Sequence, residues 1–247
     1  AGIRLDSVTP GIVTGPLQIE ASISGAIGSP IAQLNIASSR LVVKPVAKGG
    51  ALAGTLRAEA TASRDRVTVK DLRFEQSPAS FLHTSGEWNN GSVSFSGELR
   101  HASVKELIQV AEASADPATL PEGPLAADFK INGTTSEPVA SVSVRSSGLA
   151  LLQQPLGAFG ADLRFEDDRL SIPQFSLTRG TGSIGGQGTW NSRTGAISVD
   201  ARVKRFAIDE MRLPDNTPVR MTLDGSFQSG GSVDRPEVKF EVAADGA

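Results

Sequence analysis

Apolar residues recur at every second position through most of this chain, in short runs closed by glycine, proline or asparagine. Gln18 to Gly25 alternates Ile19, Ala21 and Ile23, and after Gly28-Ser29-Pro30 the segment Ile31 to Ala37 alternates again. Such two-residue periodicity between turn formers is the pattern of half-buried β-strands. Leu41 to Val46 continues it until Gly49-Gly50, and a short strand with Ile3 and Leu5 precedes a Pro10-Gly11 turn. Further on, Leu56, Ala58, Ala60 and Ala62 share a face, and Val67, Val69, Leu72 and Phe74 follow the Asp65-Arg66 turn. The apolar phase slips by one residue at Lys70-Asp71. A slip of one turns every later side chain to the wrong face unless a bulge absorbs it.

The pattern is itself repeated. Gly15 to Leu41 reads GPLQIEASISGAIGSPIAQLNIASSRL, and Gly123 to Leu149 reads GPLAADFKINGTTSEPVASVSVRSSGL, aligned without a gap. In the second copy Phe159, Ala161, Leu163 and Phe165 precede Asp168-Arg169, and Leu170, Ile172, Phe175 and Leu177 come after. There the phase slips at Pro173-Gln174, where proline cannot donate to a ladder and so belongs at an edge or a bulge. Gly86-Glu87-Trp88-Asn89 and Gly188-Thr189-Trp190-Asn191 each lead into a turn and another alternating strand, so each repeat carries a Trp-bearing hairpin. A third copy opens at Gly231, with Pro236 at the same glycine-to-proline spacing and Val238, Phe240 and Val242 alternating behind it. An internal repeat sets the architecture. The expected organisation is one continuous elongated repeat domain over 1–247, with units of about 15–122 and 123–216 and a partial unit 217–247. The alternation is already running at Ala1 and still running at Ala247, so the chain reads as a piece of a longer array.

One segment reads as helix. Ser103 is a candidate N-cap with Glu106 three residues on, and Val104, Leu107, Ile108 and Ala111 follow at helical spacing within Ser103 to Ala115. This helix is expected to be a cap or plug beside the sheet. Its counterpart in the second unit, Ile208 to Met211, reads as a helical stub cut off by Pro214.

Composition narrows the function classes. The 247 residues carry a formal net charge of −3, too small to mark a nucleic-acid or anionic-membrane surface. Cysteine is absent, which removes disulfides and thiolate metal sites. No apolar run approaches the ~18 residues of a membrane-spanning helix, and Ala1 opens no signal-peptide pattern. With 26 Gly and no Tyr, short strands are favoured over helices.

Candidate chemistry is sparse. Gly180 to Gly185 fits G-x-G-x-x-G, yet a dinucleotide site needs that loop between a strand and a helix, and a Trp hairpin follows instead. A flexible turn or bulge is the expectation. His83 and His101 lack cysteine or carboxylate partners at metal spacing and read as surface or groove-rim residues. Asp65, Asp167 and Asp168 fall at hairpin turns, where aspartate serves the local backbone. No G-x-S-x-G elbow or evident base accompanies the serines, so neither an enzymatic activity nor a cofactor is expected. Trp88 and Trp190 read as packing within the repeat, with groove-lining anchors as the alternative.

The full pattern is a G-P-L strand, G-x4-P, paired strands, a D-R turn, a G-x-W-N hairpin and a short V-K-E-L helix. It resembles the repeats of the TamB and AsmA-like periplasmic proteins, relatives of the bridge-like lipid-transfer proteins, over nearly the whole chain. The resemblance implies an all-β fold: a long, twisted, mostly antiparallel sheet curled into a U-shaped apolar trough, the β-taco, with one short helix. It implies a periplasmic segment of a protein anchored in the inner membrane of a diderm bacterium, with phospholipids as cargo. For the TamB branch it also implies outer-membrane protein assembly with a BamA/TamA-like barrel partner, through regions absent here. The residues expected to line the groove are Leu56, Val67, Val69, Leu72 and Phe74 in the first unit. In the second they are Phe159, Leu163, Phe165, Leu170, Ile172, Phe175 and Leu177.

One-sided alternation over roughly fifteen strands makes an apolar strip on the order of 70 Å long at ~4.8 Å per strand. Such a strip must fold on itself, pack on a partner sheet or hold apolar ligand. The alternatives to a lipid groove are a dry sandwich core, a scaffold whose strand edges receive other strands by β-augmentation, and, least favoured, an adhesin-like or carbohydrate-binding β-solenoid.

Overall fold

A computed structural model describes residues 2–4, 13–44, 51–111, 116–152, 154–212 and 218–246. The Leu5 end of the first strand, the Pro10-Gly11 turn, the Pro45-Val46 and Gly49-Gly50 positions, the last helical residues to Ala115, and Pro214 lie outside them. The described chain is almost entirely antiparallel strand, with one short α-helix. It divides into two compact units, Ala1–Leu120 with Leu125–Pro138, and Pro121–Pro124 with Val139–Ala247.

Unit 1 contains β1 (Gly2–Arg4), β2 (Val13–Thr14), β3 (Pro16–Ala26), β4 (Ser29–Val43), β5 (Leu52–Ala62), β6 (Arg66–Ser77), β7 (Ser80–Asn89), β8 (Ser92–His101), α1 (Val104–Ala111), a 3-10 turn at Pro117–Thr119 and β9 (Leu125–Thr134). From β3 to β9 each strand pairs with the next in the chain, β1 flanks β3, and β2 pairs with β4. Unit 2 is built the same way from β10 (Pro138–Leu151), β11 (Gln154–Glu166), β12 (Arg169–Arg179), β13 (Gly182–Asn191), β14 (Ile197–Arg212), β15 (Pro218–Ser232) and β16 (Arg235–Gly246).

The connections explain the spacing of the turn residues. Asn90 and Gly91 both take positive φ (45° and 86°) between β7 and β8, the backbone of a two-residue hairpin whose twist matches the strands. Asp167 and Asp168 do the same (49° and 59°) between β11 and β12. The recurrent G-x4-P is a cross-strand pair: Gly25 faces Pro30 beside the β3–β4 turn, and Gly231 faces Pro236 beside the β15–β16 turn. The glycine-rich stretch after Arg179 is the β12–β13 turn, with Gly180 at φ 57°, and a strand follows it.

Both expected phase slips are bulges. The β6–β7 register shifts between Val69 and Leu72, and the β12–β13 register shifts between Ile172 and Phe175, so Lys70-Asp71 and Pro173-Gln174 are absorbed and the apolar residues on either side keep one face. A further shift recurs between Ser38 and Leu41 of β4 and between Ser146 and Leu149 of β10. The repeat is thus one of backbone irregularities as well as of residues.

Two expectations are corrected. Ile208 to Met211 is no helical stub: it lies within β14, where Ile208 pairs with Met221 and Met211 with Val219. Four residues cannot offset the cost of helix nucleation when a neighbouring strand offers a ladder. His101 is not at the surface; it is 4% exposed, at the end of β8. The core is thin. Among the described residues the buried apolar side chains are Leu17, Leu41, Ala60, Val110, Ala127, Ala201 and Phe206, and no large side chain is completely enclosed.

Candidate functional site

Cross-strand partners in an antiparallel sheet project from the same face, so the registers trace each face strand by strand. In unit 1, Leu34 faces Ala60, Ala60 faces Val69, Val69 faces Gly86, Gly86 faces Phe95 and Phe95 faces Ile131. A second row on the same face runs Ser38, Leu56, Phe74, Leu82, Leu99 and Ala127. Leu72 and Val67 lie in the rows between and beyond, opposite Ala58 and Ala62. All five residues expected on this face in unit 1 therefore share it, and all are half-buried.

Unit 2 repeats the arrangement. Val144 faces Ala161, Ala161 faces Phe175, Phe175 faces Gly186, Gly186 faces Ala201 and Ala201 faces Phe227. Phe159 faces Leu177, Phe165 faces Leu170, and Leu163 and Ile172 occupy the same face beside the β11–β12 register shift. The seven expected residues share this face; Phe165 is 37% exposed and the others are half-buried.

The opposite faces are charged and paired. In unit 1 Lys70 Nζ donates to Glu59 (2.6 Å), Arg73 Nε to Glu75 (2.9 Å), and Arg66 to Glu87. His83 Nε2 meets Asp71 Oδ1 at 2.7 Å, and Arg100 Nη2 reaches Glu98 (3.1 Å) and Asp128 (3.4 Å). In unit 2 the carboxyl of Asp162 is held below the usual carboxylate range, first by the Gln174 amide donating to Oδ2 (2.8 Å), then by the Ser143 hydroxyl and the charge of Arg145. At the β13–β14 turn Arg193 donates to Asp168. These pairs are exposed and contribute little to stability; what they establish is which face is wet.

Glycines let phenylalanine rings lie down on the apolar face. A Cβ added at Gly97 would sit 2.7 Å from the Phe129 ring, and one at Gly86 would sit 2.7 Å from Phe95. At Gly54 and Gly186 the Phe74 and Phe175 rings fill the same space, 2.9 Å from such a Cβ. In each case an aromatic covers the gap of a glycine beside it, a device that shields sheet backbone without a second layer.

The two tryptophans and much of the phenylalanine complement sit on these faces although only part was expected there. Trp88 pairs with Val67 and Val93, and Trp190, 39% exposed, pairs with Leu170 and Ile197. Phe95, Phe129, Leu82 and Leu99 of unit 1 and Ile184, Phe206, Phe227 and Phe240 of unit 2 belong with them. Their alternation is visible in the sequence, but which phase shares a face with which follows only from the registers.

Among the described residues no three His, Asp or Glu side chains are placed to hold a metal ion, and no helix is long and apolar enough to cross a membrane. No family model, curated protein or solved structure matches the chain.

Proposed function

We propose that the apolar face of each unit, curled into a trough, receives the acyl chains of phospholipids. On this reading the protein is a non-catalytic segment of a periplasmic conduit between inner and outer membranes. The observation that supports it most is the asymmetry of the faces. One carries contiguous rows of Leu, Ile, Val and Phe that stay half-exposed, while the other carries the ion pairs. A dry sandwich would enclose its large apolar side chains, and none of those described is completely enclosed.

The energetics need no specific chemistry. Each methylene removed from water contributes about 0.8 kcal/mol, so a sixteen-carbon chain gains on the order of 10 kcal/mol before entropic and headgroup costs. Rows of similar aliphatic and aromatic side chains offer no deep local minimum, which suits a chain that must slide. The wet face keeps such a segment soluble while its other face is loaded.

Native mass spectrometry of the purified chain tests this. Phospholipid should copurify, and Phe165→Glu combined with Leu177→Glu should abolish it while the far-ultraviolet circular dichroism of a β-sheet persists. A lipid-free wild-type chain would refute the reading. A second reading, strand addition to an edge during outer-membrane protein assembly, is favoured by the exposure of Ile23 (77%) on β3 and Phe240 (71%) on β16. It predicts strand capture insensitive to the two glutamates.

A further inference from the structure

Among the described residues, β16 has no strand on its second edge. Its place in the repeat says that this edge can take a ladder. Strands β4 and β10 follow the same G-x4-P, at Gly25 to Pro30 and Gly133 to Pro138, and each takes an antiparallel neighbour there, β5 and β11. The Arg235 N–H points back to Ser232 Oγ (3.3 Å) across the two-residue turn of Val233 and Asp234. Main-chain direction alternates along an antiparallel strand, so the peptide groups of Val238, Phe240 and Val242 face the open edge. Pro236 faces it too, and has no N–H to leave unpaired there.

What sets β16 apart is charge. Strands β4 and β10 carry one charged residue each, Arg40 and Arg145, whereas β16 carries Arg235, Glu237, Lys239, Glu241 and Asp245 on one face. All five are exposed, and their cross-strand partners on β15 are Ser232, Gly230, Gln228, Ser226 and Thr222, none of them charged. On the other face Val238, Phe240 (71% exposed) and Val242 are exposed as well. Charge on an edge strand ordinarily discourages pairing. Here the signs are ordered so that a copy related by a two-fold axis meets opposites.

We propose that β16 is a self-association edge, which pairs antiparallel with β16 of a second copy about a two-fold axis at Phe240. In that register Phe240 lies opposite Phe240, Val238 opposite Val242, Lys239 opposite Glu241 and Arg235 opposite Asp245. All but the first of these pairs occur twice, as an isologous contact requires. Glu237 meets the neutral Ala243. Moving the axis by one residue puts Lys239 on Lys239 or Glu241 on Glu241, and like charges directly opposite are destabilising. Moving it two residues toward the turn shortens the ladder and sets Pro236 against Phe240. The pairing is independent of what the apolar face carries.

Sedimentation equilibrium of the 247-residue chain tests this. The wild type should dimerise reversibly. Lys239→Glu or Glu241→Lys alone should raise the dimer dissociation constant by about tenfold or more, because each sets like charges opposite one another twice. An equimolar mixture of the two variants should dimerise as the wild type does, since each then supplies the charge the other lacks. Because the chain has no cysteine, Phe240→Cys places a single thiol on the axis, and it should form an oxidised dimer faster than Val238→Cys. A wild type that stays monomeric up to its solubility limit, leaving the edge to a strand of another protein, would overturn the proposal. So would dimers indifferent to both charge reversals, or faster cross-linking through Val238→Cys.

Discussion

Gly186→Ala tests the geometry of the apolar face most directly. A methyl placed there would lie 2.1 Å from the carbonyl oxygen of Asp200, 2.8 Å from Ala201 Cα and 2.9 Å from the Phe175 ring. The ring could rotate away, but the other two atoms belong to β14 backbone held in register on both sides. Relief therefore requires β13 and β14 to part, and the cost should reach the upper end of the overpacking range, about 3 kcal/mol. With a urea slope of about 2 kcal/mol/M, that lowers the unfolding midpoint by roughly 1.5 M. Gly160→Ala is the matched control, because its methyl would meet nothing nearer than Ser176 Oγ at 3.7 Å. It should shift stability by less than ~0.5 kcal/mol. Trp190 fluorescence, in a Trp88→Phe background, reports on unit 2 because Trp190 lies on β13 itself. Equal midpoints for the two alanine variants would refute the argument that Phe175 and the β14 backbone close over Gly186.

Further outcomes follow from the polar groups. Because the folded state lowers the Asp162 carboxyl below its unfolded value, its contribution is present above about pH 4 and is lost as pH falls through the lower folded value; urea midpoints of wild type and Asp162→Asn should differ by a constant amount near neutrality and converge in acid. His101→Ala leaves Gln76 Oε1 and the Ser103 N–H without their buried partner, a loss of about 1–3 kcal/mol; hydrogen exchange should accelerate at Ser103 and through α1 while the β12–β13 amides keep their protection.

Much of the fold was legible because a strand with one wet face must alternate. The slips could be located from sequence alone: one such as that between Val69 and Leu72 calls for a bulge or a strand break if Phe74 is to keep its face, and the register shows a bulge. The stub at Ile208 misled because four residues satisfy helical and extended spacing equally, and the decision lay with the β15 ladder. His101 misled for a different reason. Its partner Gln76 comes from another strand, as does Ser80, which accepts from the neighbouring Ala102 N–H, and no local pattern announces a buried hydrogen-bonded cluster assembled across a sheet. Faces were legible within a strand but not between strands, which is why Phe95, Phe129 and Phe227 entered only with the registers. The glycines under the phenylalanines carried no signal beyond abundance, since a missing Cβ acquires meaning only from what lies above it.

The chain-order pairing of strands has a kinetic consequence. Apart from β1 and β2, each strand from β3 to β9 and from β10 to β16 finds its partner in the segment made just before it. Loop closure is then short at nearly every step, and no strand waits for a partner synthesised much later. Such a chain can zip up progressively as it emerges from a ribosome or a translocation pore, each new hairpin templated by the edge already formed. Its unpaired strand edge stays confined to the growing tip, which limits the interval in which that edge could recruit another strand.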